Sequence, residues 1–147
     1  MIGGGQLLVY SFLAWHMALR ILQELPYLTI YYDYNNEWLY AFWYGAIGFE
    51  QALEGGEAVL RSVQTEKCHK LLNDNSEVTD MWLETPEWRE MNMFPRLHAA
   101  GLRYVAWVYS ANLYSRFSAD RALAALAQPV ALAFEDLDMA KNWLRVV

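Results

Sequence analysis

Trp38-Leu39-Tyr40-Ala41-Phe42-Trp43-Tyr44 carries no charged side chain and stops at Gly45. A strand that is apolar on both alternating faces is covered on both sides, so this segment is expected inside a sheet. Just upstream, Leu28-Thr29-Ile30-Tyr31-Tyr32 is rich in β-branched and aromatic residues, and Asp33-Tyr34-Asn35-Asn36-Glu37 supplies turn formers between the two. The pair reads as an antiparallel hairpin.

Downstream, Phe49, Ala52, Leu53, Gly56, Val59, Leu60 and Val63 recur at three- and four-residue spacing, with Glu50, Glu54, Glu57, Arg61 and Gln64 opposite them. That is an amphipathic helix. Gly56 falls on its inner face, where a missing side chain permits close packing on the sheet. Lys70-Leu71-Leu72 then reads as a short apolar strand running into the polar cluster Asn73-Asp74-Asn75-Ser76-Glu77 and a turn.

Thr85-Pro86-Glu87 has a hydroxyl N-cap, a proline at the first helical position and an acid near the positive end of the dipole. The helix closes at Gly101, and Pro95 inside it predicts a kink or a break into two short helices near Met93-Phe94. Arg103 to Tyr109 is a further strand, Ala119 to Ala127 a small-residue helix, Val130 to Phe134 a strand, and Asp138 to Leu144 a last helix. The order β-β-α-β-α-β-α-β-α implies an α/β fold: a mixed, mostly parallel sheet with an N-terminal hairpin and helices packed on it. One domain is expected over 27–147, with 1–26 a partly helical extension.

At 147 residues and 56% hydrophobic content the chain has enough apolar surface for one buried core. A net charge of −6, with Lys67, Lys70 and Lys141 the only lysines, disfavours nucleic acid and anionic membranes, which need clustered cations. Cys68 is the single cysteine, so no internal disulfide forms and a reducing cytoplasm is the expected compartment. The apolar stretch from Gln6 to Leu22 is interrupted by Ser11, His16 and Arg20 and falls short of the ~20 residues a membrane span requires. Met17 is an alternative start.

The chemistry-bearing residues are sparse. Cys68-His69 with a distant His98 is not a spacing that builds a zinc site, and no metal or cofactor is expected. No Gly-x-Ser-x-Gly elbow, Gly-x-Gly-x-x-Gly turn or Walker loop occurs, so catalysis has no anchor in the sequence. Asp74 with Glu84 could be drawn as a carboxylate pair, but strand-end carboxylates are commonly solvated or capping. Asn73, Asp74, Asn75 and Ser76 either bind a ligand's polar groups or satisfy loop donors.

Seven tryptophans and ten tyrosines exceed what a core of this size holds, so some approach the surface. Trp82, Trp88, Tyr109 and Tyr114 are expected at the sheet edge that carries Asp74, Asn75 and Ser76. Aromatics beside polar groups suit a protein interface or an apolar ligand pocket.

Several landmarks resemble the SpoIIAA-like branch of the STAS superfamily, often labelled STAS/SEC14-like in bacteria. They are Leu28 to Asp33, Trp43-Tyr44-Gly45, Leu71 to Asn75, Trp88 with Phe94-Pro95, Gly101 to Val108, and Phe134-Glu135-Asp136 followed by Ala140 and Trp143-Leu144. The resemblance spans roughly Leu25 to Leu144 and is more specific for fold than for activity. It implies a non-catalytic bacterial regulatory domain that binds a protein partner, because related anti-sigma factor antagonists bind a kinase and are switched off by phosphorylation.

Their phosphoacceptor lies in an Asp-Ser-Ser-Gly turn, and this chain carries Thr79-Asp80-Met81-Trp82-Leu83-Glu84-Thr85 instead. A phosphate on Ser76 or Thr79 would sit among Asp74, Glu77 and Asp80, which leaves Thr85, at a helix N-terminus, as the better candidate acceptor. Two functions fit the residues: an interaction domain with a protein partner, homodimers included, or a small-molecule or lipid-binding module of SEC14-like type. A flat or convex aromatic patch favours the first, and a closed apolar cavity of a few hundred Å³ the second.

Overall fold

The computed structural model describes residues 18–81, 83 and 85–147. Six strands form one sheet in sequence order: β1 (Leu19–Leu25), β2 (Leu28–Asp33), β3 (Trp38–Ile47), β4 (Lys70–Met81), β5 (Tyr104–Val108) and β6 (Val130–Phe134). Both β1–β2 and β2–β3 are antiparallel, and every later pair is parallel. Five helices connect or succeed them: α1 (Phe49–Glu66), α2 (Pro86–Glu90), α3 (Met93–Ala99), α4 (Leu113–Ala124) and α5 (Leu137–Val146). This is the mixed, mostly parallel α/β sheet that the sequence predicts.

The expected hairpin is β2–β3, with Asp33 pairing Trp38 and its carboxylate accepting from the Asn35 and Asn36 backbone N–H groups at 3.0 Å. One difference lies ahead of it. Leu19–Leu25 is a strand in the sheet, where the sequence predicts an extension through residue 26; residues 1–17 of that extension lie outside the described residues. Its polar Arg20, Gln23 and Glu24 hide the strand pattern, because an edge strand needs little apolar surface.

Strand order advancing steadily from β3 to β6 has a geometric consequence. Right-handed crossovers all fall on the same side, so α1, α2–α3 and α4 share one face. The large core lies there, with Leu28, Ile30, Leu39, Trp43, Leu71, Val105 and Trp107 against Val59, Val63, Phe94 and Leu97. On the other face α5 packs on β4, β5 and β6 around Trp38, Leu72, Ala106, Val108 and Leu144. Lys70 Nζ donates to the Leu144 carbonyl at 2.6 Å, satisfying an orphan acceptor at the end of α5. Beside α5 on this face, Tyr31, Tyr40, Phe42 and Tyr44 form a row of neighbouring half-buried rings.

The segment after β4 breaks into α2 and α3, as Pro95 predicts. The break falls at Asn92, which takes a left-handed φ of 49°, and Pro95 sits in the first turn of α3, where its missing N–H costs nothing. Gly101, at φ 111°, closes α3 with its N–H on the His98 carbonyl.

The glycines of α1 divide the packing role expected of Gly56. A Cβ on Gly55 would lie 2.3 Å from Cη2 of Trp43, whereas one on Gly56 would meet Cε of Met93 at 2.8 Å. Gly55 therefore sets the helix-to-sheet approach and Gly56 the helix-to-helix one. Gly55→Ala should lower stability by about 1–3 kcal/mol, the overpacking cost outweighing the gain in helix propensity. Gly56→Ala should cost less, because a methionine end can move. Paired thermal melts of the two variants check the order.

Candidate functional site

The polar cluster at 73–76 is not a turn. It lies within β4, and Asn73, Asp74 and Asn75 are buried while Ser76 is exposed. Turn-forming residue types imitate a loop here; each of the three buried side chains has a partner that outweighs its local preference. Alternation along the strand also splits the cluster. Asn73 faces the crossover helices and accepts from Trp43 Nε1 at 2.9 Å. Asp74 faces the other way, accepting from the Tyr40 hydroxyl at 2.8 Å and from the Ser76 N–H at 2.9 Å. Burial, and then the Asp74 carboxylate, push the Tyr40 phenol far above its ordinary range. Asn75 turns back to donate to the Val108 carbonyl at 3.1 Å, while its Oδ1 has no hydrogen-bonding partner. These residues brace a sheet interior and offer no shared surface.

The second half of β4, beyond Asn75, builds the surface. The pairing of β4 with β5 ends at Asp74–Val108, yet β4 continues beside β3 to Met81. The overhang has an open edge on the β5 side, and α4 covers it with side chains. Ser115 Oγ accepts from the Met81 N–H at 2.8 Å, Ser118 Oγ accepts from the Leu83 N–H, and Asn112 Nδ2 donates to the Thr79 carbonyl at 3.0 Å. Asn112 also caps α4, its side chain accepting from the Ser115 N–H.

Helix α4 starts at Leu113, not at Ala119, and its inner face carries the buried Ser115, Ser118 and Ala119. That rotation turns Leu113, Tyr114 and Phe117 to solvent, 60%, 71% and 56% exposed. Of the aromatics expected at this edge, Tyr114 is thus on the surface. Tyr109 is held instead: its hydroxyl donates to Asp120 of α4, and the Arg116 guanidinium lies 4.6 Å from its ring centroid. Burial and the bond to Asp120 push its phenol up to about 12. Arg116 in turn pairs with Glu135.

Trp88 lies elsewhere, half-buried on α2, and Trp82 lies outside the described residues. With Leu83, Met93, Phe94, Ala122 and Leu126, Trp88 lines an open groove of about 510 Å³ between α2–α3 and α4. The apolar cavity beneath it, reaching Trp43, Asn73 and Trp107, holds only about 40 Å³. Thr85 Oγ1 accepts from the Trp88 N–H at 3.1 Å, the N-cap role that its sequence context predicts.

Among the described residues no three His, Cys, Asp or Glu side chains stand close enough to hold a metal ion. Nor is any described helix long and apolar enough to cross a membrane. Cys68 is buried, and burial pushes its thiol up to about 11, so it is no nucleophile at neutral pH.

A solved structure is similar over most of this length. An uncharacterized protein of the DUF3478 family from Shewanella loihica PV-4, described as having a SpoIIAA-like fold, is 18% identical, with a TM-score of 0.51 over 86% of this chain and 92% of its own. The fold is SpoIIAA-like. No protein-family model matches the chain, and no curated protein does. In this SpoIIAA-like sheet the outer face of α4 adds Leu113 and Phe117 to the Tyr114 that the sequence places at an edge, because Ser115 and Ser118 point inward.

Two measurements test these placements. Ser118→Ala strips the buried Leu83 N–H of its acceptor and should cost about 1–3 kcal/mol, read from denaturant unfolding. Cys68 should resist a thiol reagent in the folded protein and react once unfolded. Its raised value means that the folded state holds a proton the unfolded chain releases first. Its contribution to stability is full below about pH 9 and is lost as pH rises through about 11.

Proposed function

We propose that this chain is a non-catalytic regulatory domain that binds a second protein through the outer face of α4. The observation that carries the reading is the exposure of Leu113, Tyr114 and Phe117 together on a helix whose rotation is fixed by Asn112, Ser115 and Ser118. Moving one large apolar side chain from water into an interface is worth about 1.5–3 kcal/mol, and aromatic anchors of this type dominate binding energies. Hydrogen bonds to β4 and Leu83 already set the helix's rotation, so little ordering cost opposes association. A convex aromatic patch is the surface expected of an interaction domain.

A second reading has its own observation. The open groove beside Trp88, at about 510 Å³, falls within the ~300–1,000 Å³ typical of ligand sites, and its apolar walls suit a small hydrophobic molecule. The 40 Å³ cavity beneath it is too small to seal such a ligand away from water, which ranks this reading second.

Affinity capture from source-cell lysate separates the two. The double variant Leu113→Ser/Phe117→Ser should fold normally, because both side chains already face water, and should lose its partner at least about tenfold. Retention of every captured protein by this variant overturns the α4 reading. A hydrophobic molecule that co-purifies with the wild type and is lost from Trp88→Ala would assign the groove instead.

A further inference from the structure

The sheet ends in two unlike edges. Strand β1 carries Arg20, Gln23 and Glu24, and its register shifts at a bulge between Ile21 and Gln23. Charges and bulges are the devices by which an edge strand avoids pairing with another chain. Strand β6, Val130-Ala131-Leu132-Ala133-Phe134, has neither: no charged residue and an unbroken register against β5.

The hydrogen bonds fix which groups of β6 point outward. The Val130 N–H donates to the Arg103 carbonyl and the Phe134 carbonyl accepts from the Tyr109 N–H, so Val130, Leu132 and Phe134 turn their backbone groups toward β5. By the two-residue alternation of a strand, the N–H and C=O of Ala131 and Ala133 point away from the sheet. No described strand lies beyond them. The side chains at this edge are apolar as well. Val130 and Leu132 are 41% and 46% exposed, on the same sheet face as α5, where Met139 and Val146 are also exposed and Trp143 packs on Phe134.

We infer that β6 pairs antiparallel with β6 of a second copy of this chain, making a two-fold dimer with one continuous sheet. The five residues are self-complementary about Leu132. With the two-fold axis there, Ala131 faces Ala133 of the second copy in hydrogen-bonded pairs, giving four backbone hydrogen bonds from groups that otherwise face solvent. Leu132 meets its own counterpart in a non-hydrogen-bonded pair, where side chains approach most closely, and Val130 meets Phe134 on either side. Every cross-strand pair is apolar, so no register is penalised by like charges at this edge. The two α5 helices arrive side by side on one face, bringing Met139 and Val146 of each copy toward the seam. A second copy suits this edge better than a chance peptide, because the complementarity is built into one short sequence.

Sedimentation of the full chain across micromolar to submillimolar concentrations should show a monomer–dimer equilibrium. Leu132→Lys, which sets two ammonium groups against each other on an already exposed site, should raise the dissociation constant at least about tenfold without changing the thermal melt recorded at concentrations where both proteins are monomeric. Leu132→Cys should give a disulfide-linked dimer under mild oxidation, since Cα atoms of a non-hydrogen-bonded pair lie about 4.5 Å apart, within disulfide range. The buried native Cys68 does not compete. A monomer at all concentrations, a dimer unaffected by Leu132→Lys, or a disulfide yield no greater than that of Arg20→Cys each overturns the inference.

Discussion

The structure depends on β4 outrunning its neighbour. A twelve-residue strand beside a five-residue one leaves backbone groups without a strand partner on that side, and those of Met81 and Leu83 are buried and must be matched. Another strand could have supplied them, but the chain has already turned away at Val108 to begin its next crossover. The partners come from Asn112, Ser115 and Ser118 instead, so a helix serves as the missing strand. Three polar contacts at fixed positions leave α4 one rotation about its axis. The outward display of Leu113, Tyr114 and Phe117 is the other side of that constraint, and the surface chemistry here arises from a backbone requirement inside.

The same need for partners accounts for the polar residues inside β4. Asn75 closes the last carbonyl of β5, Asn73 receives the indole N–H of Trp43, and Asp74 receives the Tyr40 hydroxyl. Each of these two aromatics brings a polar atom into the core and is matched by an amide or carboxylate on the neighbouring strand. A chain so rich in tryptophan and tyrosine needs such acceptors, and the central strand is the element that reaches both faces.

How much of this is legible in the sequence depends on pattern. Strands β2, β3, β5 and β6 are legible because they are apolar runs, although β3 continues past Gly45 to Ile47 beside the overhang of β4, and α1 is legible because its two faces differ. The start of α4 is not, because its polarity is inverted: Ser115 and Ser118 are inside while Leu113, Tyr114 and Phe117 are outside. A rule that places apolar residues inward finds the helix only from Ala119 onward and misses the outward display of Leu113 and Phe117. The one local signal is Asn112 standing three residues before Ser115, a capping arrangement too short to outweigh the pattern. β1 escapes for the opposite reason, being polar enough to look like an extension. In β4 the amides imitate a turn, and only the partners on β3 and β5, distant in sequence, reveal a strand.

The inverted helix and the unguarded edge also bear on each other through geometry. Helix α4 lies on the crossover face and packs on β4 and β6, whereas Val130 and Leu132 project from the opposite face. In a sheet continued through β6, the two β5 strands stand three spacings apart, about 14 Å, wider than the ~10 Å diameter of a helix. The two α4 helices would then sit next to each other without interpenetrating, their outer faces directed away from the sheet. Pairing at the edge and binding at α4 are therefore compatible, and a dimer would present two equivalent aromatic faces on one side. A partner with two binding elements would engage both, and its second contact would form at high effective concentration. Modest affinity at each α4 face would then suffice for tight binding to a paired domain, while leaving the single chain a weak binder.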